Sequence, residues 1–479
     1  MTGAGLSAEE AIAAGGVGRP SAVRSPVGTP VAVHDLPATM PDAARGLTTT
    51  ERLLLGQDDP ARPMVIRVRL RFDRPLPIDA VRQAAAAVTP RHPLLTARLR
   101  DGRWVHTPGD PPVIDADAES AEGAGGLPIP PIPVPPIPVP PIPVPPIDVR
   151  TEPALRLTCR GEVVDLDFHH AAADGQGARQ WAVDFFLALD ALLCGTRASL
   201  PRLDPELLAA RGDLSQPAGL EPIGPSEGLR NLWLTVRGRT ARLRGGRPGE
   251  RVWEHRFSPA ETAALRAGLS DRGLTMNDQG LITTLTALAE TPGLSGGRLT
   301  VLNPVDIRRP RDLRMPAANR LGFAYVRRLR RELGKDLVRS VRDDLRYVKD
   351  RYVGAEFFRG VQLVENVPGV IDMFRRLGRF VPTAQFTCLG DSTRGRRLGL
   401  RREGGDVLIG EGRLTSISGF APLAPGVPLS LAACETANVL TLTVRSKLSE
   451  EETRAFGERW RHQFAETAGP GLEDHAGVN

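Results

Sequence analysis

The sequence predicts a mixed α/β (α+β) fold built as two halves. At 479 residues the chain exceeds what one hydrophobic core organises, so two domains, or two halves of one unit, are expected. Strand-like and helix-like apolar periodicities follow one another in both halves, which argues against a repeat protein. The composition, 41% apolar and 25% charged, is that of a soluble globular chain, and no apolar run is long enough to cross a bilayer.

Residues 1–40 are rich in Gly, Ala and Pro without periodicity and are expected to form a disordered tail. Order should begin near LTTTERLLLG (47–56), where Thr and Glu offer capping chemistry ahead of an apolar run. MVIRVRLRF (64–72) alternates apolar and cationic residues, the pattern of a half-buried strand. IDAVRQAAAAV (78–88) follows as an Ala-rich helix stopped by Pro90. LLTARLR (94–100) and GRWVHT (102–107) form a strand pair across the Asp101-Gly102 turn. Next, PPIPV repeats three times from Pro130 and closes with PPIDV at Val149; proline at this density imposes extended polyproline II. This Pro-rich insertion (128–149) is read as a spacer between strands, with a peptide-recognition ligand as the alternative. LRLTCR (155–160) and EVVDLDF (162–168) make a second strand pair, and a helix is expected over about 175–193. An N-terminal lobe therefore spans 41–215 and a linker 216–250, with a helix expected near 226–241. The C-terminal lobe spans 251–479. It alternates strand 251–257, helices 258–271 and 275–290, strands 298–303 and 319–327, helix 333–350, strands 383–390, 405–410, 427–435 and 438–444, and helix 449–467.

Several function classes are disfavoured at once. The N-terminus lacks the basic start and apolar core of a signal peptide. The four cysteines, Cys159, Cys194, Cys388 and Cys434, show no zinc spacing and read as reduced, mostly buried residues of a cytoplasmic protein. Net charge is +6, and every cation but Lys335, Lys349 and Lys447 is arginine. The clusters RRPRDLR (308–314), VRRLRREL (326–333) and TRGRRLGLRR (393–402) read as solvated faces, with a surface for phosphate or an acidic partner as the alternative. No interleaved aromatics or docking motif supports nucleic-acid binding. There is no GxSxG, no Walker loop and no GxGxxG after a strand.

The chemistry concentrates in EVVDLDFHHAAADGQGARQW (162–181). Neighbouring strand residues point to opposite sides, so one of His169 and His170 should face inward and the other a cleft. That divergence disfavours a metal site. Asp174 before Gly175 either caps the following helix or pairs with an arginine, and both roles would steady His170. An imidazole so placed suits general base catalysis on a hydroxyl or amine.

HHAAADG matches HHxxxDG and so resembles the condensation-domain and chloramphenicol-acetyltransferase-like superfamily. RHPLLTAR (91–98) is similar to that family's RHxxLRTxF segment, NPVDIR (303–308) to its strand ending in Asp-x-Arg, and NRLGFAYV (319–326) to its Gly-x-Phe-Val-Asn strand. The resemblance covers roughly 45–470. It implies two acetyltransferase-like lobes forming a V with an active-site tunnel between them. It further implies His170 as catalytic base, His169 as structural prop, Asp174 as the loop-holding carboxylate and Gly175 as the residue keeping the backbone open to substrate. Asp306, Arg308, Asn319 and Gly322 would carry the second-lobe motifs. The DFGWG motif of plant-type relatives is missing, and RLTSISGF (413–420) occupies roughly its place. The implied activity is that of a free-standing condensation-type acyltransferase of natural-product biosynthesis, with no permanently bound cofactor or metal. Its donor would be an acyl thioester on an acyl or peptidyl carrier protein's phosphopantetheine arm, or acyl-CoA; its acceptor would be a small alcohol or amine. Epimerisation or cyclisation on the same fold, and a non-catalytic module that recruits carrier proteins, are the alternatives.

Overall fold

The computed structural model describes residues 40–466 except 108, 119–143, 365–366, 368, 370–381, 392, 394–398, 437 and, between 218 and 249, all but 220, 223, 224, 227 and 240–243. The expected tail, nearly all of the Pro-rich insertion and the expected linker helix lie outside the described residues. Of the insertion, Val144, Ile147 and Val149 are described and pack into the first core.

The first half runs α1 (Thr49–Leu55), β1 (Val65–Phe72), α2 (Ile78–Val88), α3 (Pro93–Thr96), β2 (Arg98–Arg100), β3 (Arg103–Val105), β4 (Val113–Asp115), β5 (Leu155–Arg160), β6 (Val163–His169) and α4 (Gly175–Leu193). The second half opens with β7 (Arg251–Arg256), α5 (Pro259–Asp271), α6 (Met276–Ala289), β8 (Leu299–Asp306), β9 (Leu321–Arg328), α7 (Leu337–Asp350) and α8 (Glu356–Val364). It ends with β10 (Ala384–Asp391), β11 (Arg402–Glu403), β12 (Asp406–Ile409), β13 (Gly412–Phe420), β14 (Leu429–Thr436), β15 (Val439–Ser446) and α9 (Glu450–Glu466). Local chemistry fixes several starts. Thr48 and Glu51 close a capping box on α1, as do Ser258 with Glu261 on α5 and Thr275 with Asp278 on α6. Helix α8 was not anticipated from the sequence.

Two sheets organise the halves. The first has the strand order β11-β12-β13-β1-β6-β5-β4, the second β7-β15-β14-β10-β8-β9. This corrects the lobe boundary: residues 402–420 leave the second half and complete the first sheet, with β13 antiparallel to β1. RLTSISGF is therefore a strand of the first sheet. The exchange lets Val407, Ile409, Leu414 and Ile417 join the first core, so the first sheet is not assembled from its own half alone.

β1 is buried on both faces, which corrects its reading as half-buried. Ile66, Val68 and Leu70 face the core with Val164, Leu166 and Phe168, and the Phe168 ring meets Trp181 of α4 edge-on at 5.7 Å. On the other face the register sets Arg67 opposite Asp167 and Arg69 opposite Asp165. Each arginine forks onto its aspartate through Nε and Nη2 at 2.7 and 2.9 Å. The second half covers this charged face. Arg71 reaches Glu254 of β7 at 3.0 Å, and Arg445 of β15 donates to the carbonyls of Val65 and Ala421. A buried charge survives because its partner is fixed directly across the ladder.

Removing one partner is the sharp test. Asp165→Ala leaves Arg69 buried without its fork and should cost about 3–5 kcal/mol in urea unfolding. The double replacement Arg69→Met with Asp165→Leu should recover most of that loss.

Candidate active site

β6 ends at His169, and the chain turns through Ala171–Ala173 before α4 begins at Gly175. His169 is fully buried: Nδ1 accepts the Ala171 N–H at 3.2 Å and Nε2 lies 3.4 Å from Asp58 Oδ2. His170 turns the other way and lines a cavity of about 1280 Å³. The two imidazoles diverge, and no group of His, Cys, Asp and Glu among the described residues could hold a metal ion.

Asp174 does both things its position allowed. Its Oδ1 caps α4 by accepting the Gly177 N–H at 2.8 Å. Both oxygens also accept the Arg308 fork, each at 2.8 Å, and Oδ2 takes the Arg320 N–H at 2.7 Å. Burial alone would raise the Asp174 pKa, but Arg308 and these N–H groups outweigh it and hold the carboxyl below its usual range. Arg308 is itself almost enclosed, donates to the Ala318 carbonyl and is steadied by Asp306 at 3.1 Å. The 308–314 run is therefore only partly a solvated face: Arg311 and Arg314 are exposed, but Arg309 is tied to Asp213 and Asp312 is buried against Arg320.

These contacts belong to a strap, residues 308–320, that leaves the second half and docks on the first. Met315, Ala317 and Ala318 sit in the first core. The Ala317 N–H donates to His92 Nδ1 at 2.9 Å, while His92 Nε2 faces Asp184 of α4 at 3.2 Å. A Cβ on Gly177 would lie 2.6 Å from the Ala318 carbonyl oxygen, so the strap requires glycine there. Gly175 lines the cavity, and a Cβ there would lie 2.7 Å from Leu389 Cδ2, so a side chain at this position would push that leucine aside. Gly322 is glycine because the Gly354 carbonyl oxygen would lie 2.2 Å from a Cβ.

The strap ends on His170. Asn319 Nδ2 donates to the His170 carbonyl oxygen at 2.7 Å and stands 3.3 Å from its Nδ1. Asn319 thereby fixes both the backbone and the Nδ1 side of the His170 ring. Burial pushes the His170 pKa below the ordinary imidazole value, and the charge of Asp174 offsets only part of that. The ring is neutral at physiological pH.

No family model matches the sequence, and no curated protein matches it. Solved structures do match its fold. The first condensation domain of the calcium-dependent antibiotic synthetase superposes with a TM-score of 0.60 at 15% identity, covering 88% of this chain and 96% of that one. The epimerization domain of the third module of tyrocidine synthetase B gives 0.58 at 15%, covering 88% and 97%. Trichothecene 15-O-acetyltransferase from Fusarium sporotrichioides gives 0.59 at 12%, covering 89% and 95%. The fold is that of condensation domains and chloramphenicol-acetyltransferase-like acyltransferases.

Within this condensation fold the cavity lies between the halves. Leu53, Met64 and His170 reach it from the first, and Phe323, Tyr325 and Phe357 from the second. Sequence reasoning did not find Arg320, Gly177 or His92 as parts of the support. Gly177 was legible in principle, because glycine at the third position of a long helix carries a conformational cost that calls for a packing reason. The cysteines differ from expectation: all four are free, but Cys434 alone is buried and Cys194 is exposed.

The protonation state can be measured directly. The His170 imidazole resonance, assigned by its loss in His170→Gln, should titrate below about 6.5. Asp174→Asn should lower the midpoint further, since it removes the charge that favours imidazolium.

Proposed function

We propose that the chain is a His-assisted acyltransferase of the condensation type, joining an acyl thioester to an alcohol or amine in natural-product biosynthesis. A neutral imidazole on the wall of a cavity shared by both halves carries this reading. Nε2 of His170 accepts the proton as the acceptor's oxygen or nitrogen attacks the thioester carbonyl. The tetrahedral oxyanion collapses, the carbon–sulfur bond breaks, and the departing thiolate regains the proton from the imidazolium. The chain's own contribution is to hold the base in place and bring two substrates to it. The donor's thiol belongs to a phosphopantetheine arm, on a carrier protein or in coenzyme A, and no resident cofactor takes part.

The likeness to an epimerization domain supports a second reading, proton exchange at the α-carbon of a bound thioester. That chemistry needs a second acid–base group facing His170. The carboxylates Asp174 and Asp306 on the cavity wall are both engaged by Arg308, which leaves neither free for that role. Acyl transfer, which needs one base, fits better.

Intact-mass spectrometry with acyl-loaded carrier protein, acyl-CoA and a panel of amines and alcohols tests the proposal. Wild type should consume one donor class and form product, and folded His170→Ala should lose about 10²–10⁴ in rate. Binding of carrier without turnover in either protein would leave a recruitment module. Because the base works deprotonated, kcat/KM should stay level at neutral pH and fall as pH drops through the lowered His170 pKa.

A further inference from the structure

Six carboxylates line the cavity, and five of them are matched by arginine. Asp59 pairs with Arg62 at 3.2 Å, Asp174 and Asp306 with Arg308, Asp344 with Arg328 at 2.8 Å, and Glu356 with Arg359. Among the described residues Asp58 is the exception. Its Oδ1 accepts the Met64 N–H at 2.8 Å, and its Oδ2 stands 3.4 Å from Nε2 of His169. That imidazole brings no full charge, because its Nδ1 accepts the Ala171 N–H and so carries no proton. Arg150 acts on Asp58 only through space and lies 3.6 Å from Asp148. Burial would raise the Asp58 pKa, but His169 and the Met64 N–H outweigh it and hold the carboxyl below its usual range. The side chain remains 24% exposed on the cavity wall, so its charge is within reach of a ligand. It also lies close to the base. Met64, whose N–H holds Asp58, accepts the His170 N–H on its carbonyl at 2.7 Å.

We infer that Asp58 recognises an ammonium group carried by one of the two substrates, on the wall beside His170. A carboxylate without a cation, in a cavity also lined by Leu53, Met64 and Ile66, attracts an ammonium more strongly than one in open water would. Held so acidic, it is a poor proton carrier at neutral pH and keeps the bound amine protonated. The ammonium is therefore gripped and not activated; the attacking atom is a different group, and its proton goes to His170. The inference deepens the acyl-transfer reading and rests on it for the reaction served. An amino group on the donor's acyl chain and an amino group beside the acceptor's nucleophile share this chemistry.

Calorimetry of the full chain with unreactive isosteric pairs separates the two sources. The donor pair is the S-aminoethyl thioether of pantetheine and its S-propyl analogue. The acceptor pair, offered without donor, is aminopropanol and butanol. In one pair the ammonium member should bind at least about tenfold tighter, as expected of a hydrogen bond to a charged group. Asp58→Asn should bring that ratio close to one and leave the neutral member's affinity unchanged. Gln57→Arg, which adds a cation on the same wall and keeps the carboxylate, should do likewise. Asp344→Asn should preserve the preference, since Arg328 already matches that carboxylate. Equal binding within both pairs in wild type overturns the ammonium site. So does a preference that survives in folded Asp58→Asn and Gln57→Arg, or one lost equally in Asp344→Asn. The reaction assignment fails differently: an Asp58-dependent preference with no turnover of any donor removes acyl transfer and leaves the site. Turnover with no preference in either pair does the reverse.

Discussion

Everything at the site depends on one buried carboxylate. Asp174 lies buried at the start of α4, and its charge is held by four donor groups that converge on it. One comes from its own helix and three from the strap of the second half. A buried anion left short of donors would cost several kcal/mol, which makes docking of the strap and ordering of the His170 loop a single event. The histidine loop cannot settle until the other half arrives. The base is therefore assembled by the packing of two halves, although all seven residues of HHAAADG lie in one.

The same logic is repeated across the first sheet. Arg67 and Arg69 would be poor residues for a strand covered on both faces were Asp165 and Asp167 not fixed opposite them by the ladder. These pairs add little net stability over apolar residues of similar size, but a register slip would bury every charge unpaired. They make the alignment of β1 with β6 all-or-none. That alignment sets where β6 ends, and so where His169 and His170 diverge. The crossing of β11–β13 into this sheet adds a second constraint, because β1 has no partner on its other edge until residues from the far end of the chain return.

Local signals were legible in the sequence, and long-range ones were not. The helix expected over 175–193 is α4 to the residue, since its apolar stripe and the Asp174 cap are encoded nearby. The divergence of His169 and His170 followed from strand geometry alone. Arg308 and Asn319 were singled out by resemblance, but their contacts with Asp174 and His170 span 134 and 149 residues, which no periodicity reveals. The arginine run at 308–314 misled at Arg308 and Arg309 for the same reason, while Arg311 and Arg314 are exposed as expected: a cation is solvated or buried according to whether a distant carboxylate meets it. β13 was missed as a strand because LTSISGF mixes small polar residues into the pattern, and both of its faces are covered. Membership of β11–β13 in the first sheet left no local trace at all.

Desolvation ties the chemistry to the shape of the cavity. An imidazole facing water would sit near its ordinary pKa and be partly protonated at neutral pH, a weaker population of base. Packing at the end of β6 lowers that pKa, and the carboxylate that could raise it is already committed to Arg308. Were Asp174 free to pair with the ring instead, the imidazolium would be favoured and the base lost. The arginine thus has a chemical consequence as well as a structural one: by engaging both Asp174 oxygens it limits that carboxylate's support for imidazolium, so the effect of burial prevails. A neutral ring in turn suits a cavity walled by Leu321, Phe323 and Phe357, where an imidazolium would be costly to hold. The apolar space and the neutral base follow from the same exclusion of water.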